Sequence, residues 1–154
     1  MSDPIDYVVT VPMTFTHADS PGLIGLDAWI AEGDAAGDPA TGKEWWFTTF
    51  GVLPLFEAGS RLYIVCEDML RGYAPLTGIL FDESRERNGS APLAFVRRGG
   101  AVAVTIDDRI IGFRGYRHRW WNRRDEYPFP DWRTVGRRVP STPTKVGRGA
   151  VHRR

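Results

Sequence analysis

Cations and rings are interleaved along Arg114-Gly115-Tyr116-Arg117-His118-Arg119-Trp120-Trp121-Asn122-Arg123-Arg124, with Phe113 just before and Tyr127, Phe129 and Trp132 after. A guanidinium forks a phosphate bidentately and stacks on a base, and aromatic planes offer the stacking surface that unpaired bases need. This composition points to nucleic acid. On an extended strand, alternation puts Phe113, Arg117, Arg119 and Trp121 on one side and Arg114, Tyr116, His118 and Trp120 on the other, so only one of the two adjacent tryptophans can face a given cleft. The competing structural reading is that the tryptophans fill the core while the arginines snorkel or pair with acidic residues elsewhere.

Other chemistry is poorly supplied. Gly37-Asp38-Pro39-Ala40-Thr41-Gly42-Lys43-Glu44 fits G-x-x-x-x-G-K but places Glu where a magnesium-binding hydroxyl is required. The motif also lies between a helix and Trp45-Trp46-Phe47, whereas a phosphate loop needs a strand before it and a helix N-terminus after it. It reads as a Gly/Pro loop. His17, His118 and His152 lack metal-type spacing, and Cys66 sits in an apolar stretch where a buried, inert thiol is expected. The carboxylate pairs Glu67-Asp68, Asp107-Asp108 and Asp125-Glu126 fall at turns, where solvation alone accounts for them.

Charge is polarised along the chain. Residues 1–96 carry 5 Lys+Arg against 14 Asp+Glu, and residues 97–154 carry 15 against 5, although the net charge is only +1. Such asymmetry fits either a basic face seeking an anionic partner or two halves that neutralise each other in one fold. A length of 154 residues suits one domain, and no apolar run approaches the ~20 residues of a membrane span. A single cysteine and an acidic start without a basic n-region lead to the expectation of a reducing cytoplasm.

The elements that must position these residues are mostly strands. Tyr7–Val11 is a β-branched run closed by Pro12. Ser20-Pro21 introduces a short helix with Leu23, Leu26, Trp29 and Ile30 at helical spacing up to Gly33. A second strand begins near Glu44, and Arg61–Cys66 and Leu70–Leu76 form a hairpin turning at Glu67-Asp68. Its second arm continues toward Phe81, which requires an edge or a bulge at Pro75. Residues 82–92 read as a surface loop. Leu93–Val96 and Ala101–Ile106 read as strands flanking Gly99-Gly100, and Ile110–Trp121 as the longest β-like segment.

Several of these segments together resemble the PUA-like superfamily that includes ASCH and EVE domains. The resemblance rests on the strand Tyr7–Val11, the helix carrying Trp29, and above all Gly59-Ser60-Arg61-Leu62-Tyr63-Ile64-Val65 with Leu70-Arg71-Gly72-Tyr73-Ala74-Pro75-Leu76. That pair is similar to the group's G-D-x-[VL]-Y-h-h…h-x-G-h-A-x-[VL] hairpin, with Ser60 in place of the acidic residue. Gly112-Phe113-Arg114-Gly115-Tyr116 fits a late strand. The resemblance implies a small β-pseudobarrel whose cleft accepts a nucleobase or a nucleic-acid strand, since relatives bind RNA or read modified bases in DNA. The G-x-K-x-x-E-x-R signature of ASCH domains is missing, so no catalytic residue carries over.

The resulting expectation is an α+β, mostly β, single PUA-like pseudobarrel of about six short strands with a short N-terminal helix. It covers residues 1–133 and precedes a basic disordered tail, 134–154. The expected function is non-enzymatic binding of nucleic acid, RNA or DNA, or of a modified base, without metal or cofactor. Trp45, Trp46, Arg71, Tyr73, Arg114, Arg117, Arg119, Trp120 and Trp121 are the binding residues. Two other classes remain open: a hydrolase acting on a modified nucleoside, and a prophage-type accessory or inhibitor protein that binds another protein.

Overall fold

Strand after strand in this chain has apolar residues at consecutive positions, and burial on both faces explains why. The computed structural model describes residues 3–16, 21–37, 45–98 and 100–129. In chain order these contain β1 (Tyr7–Thr10), α1 (Gly25–Gly37), β2 (Trp45–Val52), β3 (Arg61–Cys66), β4 (Met69–Phe81), β5 (Ser90–Arg97), β6 (Val104–Thr105), β7 (Tyr116–His118) and β8 (Tyr127–Pro128). From β3, Leu62, Ile64 and Cys66 join one core with Tyr7, Val9, Leu93, Phe95 and the helix residues Leu26, Trp29 and Ile30. Tyr63 and Val65 turn the other way, into a second cluster with Val8, Leu70, Ile106 and Ile110. A strand covered on both sides has no polar face to alternate with.

Six strands form one sheet in the order β2-β5-β4-β3-β1-β7, and β6 pairs with β8 in a separate two-stranded ribbon. β1 runs parallel to β3, while β7 is antiparallel to β1. The two ends of the sheet approach each other. Tyr116 of β7 donates its hydroxyl to the Val52 carbonyl of β2 at 2.5 Å, and its ring lies over Gly51, where a Cβ would come within 3.1 Å of a ring carbon. Glycine at position 51 therefore permits the sheet to curl nearly shut, and the protein is a mostly-β, barrel-like domain with one helix.

Both tight hairpins are set by residues in the left-handed region. Glu67 and Asp68 (φ 55° and 61°) connect β3 to β4, and Asn88-Gly89 (φ 55° and 84°) closes the end of the β4–β5 connection. Turns of this hand match the twist of the strands they join. The sequence shows the second as an undivided surface loop; it is a 3₁₀ turn, Glu83–Arg85, followed by this two-residue reversal.

Several expectations need correction. The helix runs on to Gly37 rather than stopping near Gly33, since a glycine inside a helix costs only about 1 kcal/mol. Ala101–Ile106 does not pair back on β5. Val102 instead bridges Tyr73 of β4, and only Val104–Thr105 is strand, paired with β8. The Ile110–Trp121 segment contains only the three-residue β7. Ile106, Ile110 and Phe113 pack at spacings of three and four rather than two, and Gly115 takes φ 73°, so the segment wraps over the β1–β3–β4 face instead of extending. Of the edge or bulge expected at Pro75 the structure has the bulge, with β4 central in the sheet. Pro75 is accommodated at a gap in its ladder, between the Leu76–Arg97 pair and the Tyr73–Val102 bridge, with a register shift after Leu76.

The helix is tied to the sheet by a buried ion pair. Arg97 at the end of β5 donates to Glu32 at 2.8 Å and stacks on the Trp29 ring at 4.4 Å. Desolvation lowers the Arg97 pKa and the Glu32 carboxylate opposes that shift.

Candidate nucleic-acid interface

Segment 119–128 crosses the outer face of the barrel and leaves an open groove of about 1160 Å³ between itself, Arg61 at the start of β3 and Tyr73 of β4. Two buried carboxylates fix the geometry of this segment.

Asp6 is the first. Its side chain is fully buried just before β1, and its oxygens accept from the Arg61 backbone N–H (2.8 Å), Arg119 Nε (2.7 Å), Arg123 Nε (2.9 Å) and Arg123 Nη2 (2.7 Å). Arg123 also reaches the Gly59 carbonyl at 3.0 Å, and Arg119 donates to the Trp121 carbonyl and lies 3.6 Å from Asp3. The hydrogen bond to Asp6 holds the Arg123 guanidinium pKa above its usual value. A buried carboxylate is tolerated only when paired and hydrogen-bonded, and two arginines from one short segment meet that requirement.

Glu126 is the second. Its Oε1 accepts from Arg61 Nη1 at 3.1 Å, and its Oε2 accepts from the Tyr63 hydroxyl at 2.5 Å and Trp121 Nε1 at 2.9 Å. Arg61 also donates to the Tyr63 hydroxyl at 2.9 Å and lies over the Tyr73 ring at 4.0 Å. Burial, then the hydrogen bond to Glu126, raises the Tyr63 pKa well above that of free tyrosine. Both oxygens of Glu126 are engaged by donors, which makes it an anchor for the groove wall.

These anchors decide which tryptophan is presented. Trp121 is half-buried, edge-on to Tyr63 at 5.1 Å and hydrogen-bonded to Glu126, whereas Trp120 is 53% exposed on the groove's rim. Trp120 stands perpendicular to Trp121 at 5.1 Å and contacts Phe113 at 6.4 Å, and Arg117 lies over Phe113 at 4.2 Å. An array Arg117–Phe113–Trp120 thus runs to the groove's edge. Arg124, whose N–H is capped by the Asn122 side chain at 3.1 Å, and the half-exposed Tyr127 complete the lining. Tyr127 donates to Asp107 at 2.9 Å, and burial with that bond raises its pKa. Among the described residues, Arg114, Arg117 and Arg124 are exposed and have no carboxylate partner.

Of the residues singled out from sequence, Tyr73, Arg119, Trp120 and Trp121 line the groove, both tryptophans together because 120–121 lies beyond β7 and strand alternation does not apply, and Arg114 and Arg117 are exposed on or beside β7. Arg119 is held by Asp6 and is only 13% exposed. Arg71 is elsewhere and buried: it occupies the register break opposite Ile64 and Val65, donates to the Cys66 carbonyl at 3.0 Å and pairs with Glu67 at 3.2 Å. It braces the β3–β4 turn. The Trp45 and Trp46 backbones open β2 opposite Arg97 and Val96, but their side chains lie outside the described residues, as do Lys43, Glu44, His17 and the tail 134–154. Asp6, Arg61, Tyr63 and Glu126 were not anticipated as parts of a site. Their one signal in the sequence is acidic or basic residues within or beside apolar strands. Among the described residues, no cluster of three or more His, Cys, Asp or Glu has the arrangement to hold a metal ion, and no helix is long and apolar enough to cross a membrane. Compared with known proteins, the chain matches no family model, no curated protein and no solved structure.

Proposed function

We propose that this chain is a nucleic-acid or modified-base binding domain with a PUA-like pseudobarrel, acting without catalysis. The observation that carries the reading is Trp120: a large ring left half-exposed, yet held by perpendicular contact with an anchored Trp121, at the rim of a groove that Arg124 lines without a carboxylate partner. Its contacts with Trp121 and Phe113 fix the ring while half of its surface stays solvated, which suits a stacking platform for an unpaired or extruded base. Arg124 on the groove, with Arg117 and Arg114 along the neighbouring array, supplies phosphate contacts. Arg119, Arg123 and Arg61 have their donors engaged internally and act as scaffold.

The test is fluorescence anisotropy with labelled single-stranded and duplex RNA and DNA across a salt series. Affinity should fall as salt rises, with a log–log slope near −2 for a single strand met by about three arginines. Trp120→Ala should weaken binding by about 1–3 kcal/mol with melting temperature unchanged. Trp121→Ala should lower stability instead, because its ring packs on Tyr63. Absence of binding to every probe at low ionic strength would overturn the proposal.

A further inference from the structure

The outer face of the barrel is covered unevenly. Segment 101–129 wraps β1, β3 and the first half of β4, whereas outward side chains of β2 and of the second half of β4 remain exposed. Phe50 (54% exposed), Val52 and Leu80 lie on that bare face. Immediately after β2 the chain forms a knuckle, Val52-Leu53-Pro54-Leu55-Phe56, in which Leu53, Leu55 (71%) and Phe56 also face solvent. Five of seven consecutive residues are therefore large, apolar and exposed.

The knuckle is held rigidly. Tyr7, with its ring buried in the core, donates its hydroxyl to the Leu55 carbonyl, and Tyr116 donates to the Val52 carbonyl at 2.5 Å. Pro54, between them, is buried. The hydroxyls of the core residue Tyr7 and the half-buried Tyr116 hold two of the loop's carbonyls, while Leu53, Leu55 and Phe56 stay exposed. A loop without a partner would be expected to carry polar residues here, and a preorganised apolar surface binds with little ordering cost.

We propose that this surface is the self-association face of the protein, and that a second copy of the chain packs on it about a two-fold axis. The area favours this occupant. At the roughly 150–250 Å² of an aromatic side chain and somewhat less for Leu and Val, the six residues present on the order of 500 Å² of apolar surface. This lies at the upper end of what a monomer usually leaves bare, and a two-fold contact doubles it to about 1,000 Å², the lower bound for a specific interface. A self-complementary patch closes on itself in a pair and leaves nothing to propagate. The contact uses Phe50, Val52, Leu80 and the knuckle, none of which lines the groove beside segment 119–128. The pairing does not depend on what that groove binds.

Sedimentation velocity and light scattering on the full chain, free of nucleic acid, test this across the micromolar range. The 17.3 kDa chain should shift toward twice that mass as concentration rises, and higher salt should leave the shift intact or strengthen it. Leu55→Asp should abolish the shift with melting temperature unchanged, because that side chain makes little contact within the monomer. Leu80→Asp, on the β4 face shared with Phe50 and Val52, should do the same. A monomer at every concentration would overturn the proposal. So would a dimer that survives both substitutions, or a monomer whose knuckle instead inserts into anionic lipid vesicles.

Discussion

Replacing Asp6 by asparagine should detach the groove wall from the barrel. The carboxylate is fully buried and accepts four hydrogen bonds of 2.7–2.9 Å, three of them from the guanidiniums of Arg119 and Arg123. Removing one partner of a buried ion pair typically costs about 3–5 kcal/mol, since the remaining charge stays desolvated. Arg119 and Arg123 retain 13% and 19% exposure and recover some water, which places the cost near the lower end, about 3 kcal/mol. Asparagine keeps one acceptor for the Arg61 amide but presents an amide donor to a guanidinium, so it should fare little better than alanine. Urea unfolding followed by far-UV circular dichroism should show a lower midpoint at unchanged slope, and thermal melting a drop of roughly 10 °C. Hydrogen exchange should accelerate at residues 119–126 before the core strands. A double-mutant cycle with Arg123→Gln should give a coupling of about 2 kcal/mol. A loss below about 1 kcal/mol, or strict additivity in the cycle, would show that the pair does not hold the segment, and the scaffold role given to Arg119 and Arg123 would fall.

Glu32→Gln should cost about 3–5 kcal/mol by stranding Arg97, and the pair Glu32→Leu with Arg97→Met should recover most of it in the same urea assay. Tyr7 has its pKa pushed from 10 to about 12, chiefly by burial, and Tyr63 is raised further. An acid that ionises more readily when unfolded leaves stability unaffected below pH 10 and erodes it above, by about 1.4 kcal/mol per pH unit for each such tyrosine. Tyrosinate absorbance should therefore rise together with loss of circular dichroism between pH 10 and 12; early titration of all five tyrosines in a folded protein would contradict this. Gly89→Ala should destabilise by about 1–2 kcal/mol, since the added Cβ meets no neighbour but must adopt φ 84°. An unchanged unfolding midpoint would mean the turn relaxes.

Local patterns in the sequence were enough for several units of this fold. The β-branched run at Tyr7–Thr10, the Arg61–Cys66 strand and its partner, and the helical spacing of Leu26, Trp29 and Ile30 all encode backbone periodicity and burial, which neighbouring residues determine. The arginine–aromatic run was legible as a composition for the same reason. Its division of labour was not. Asp6 meets Arg119 and Arg123 across more than 110 residues, and Glu126 meets Tyr63 across 63, because β1 inserts between β3 and β7 and brings the start of the chain beside its late segment. Ion-pair partners are chosen by proximity in the folded sheet, and no sequence period records that proximity. The register break that buries Arg71, and the wrap of 107–115 that limits β7 to three residues, likewise depend on how much outer face the barrel offers. Residue types thus determined which side chains this protein carries, and strand order, by bringing Asp6 to Arg119 and Arg123 and Tyr63 to Glu126, decided that Trp120 is left exposed while Arg119 and Arg123 are tied down.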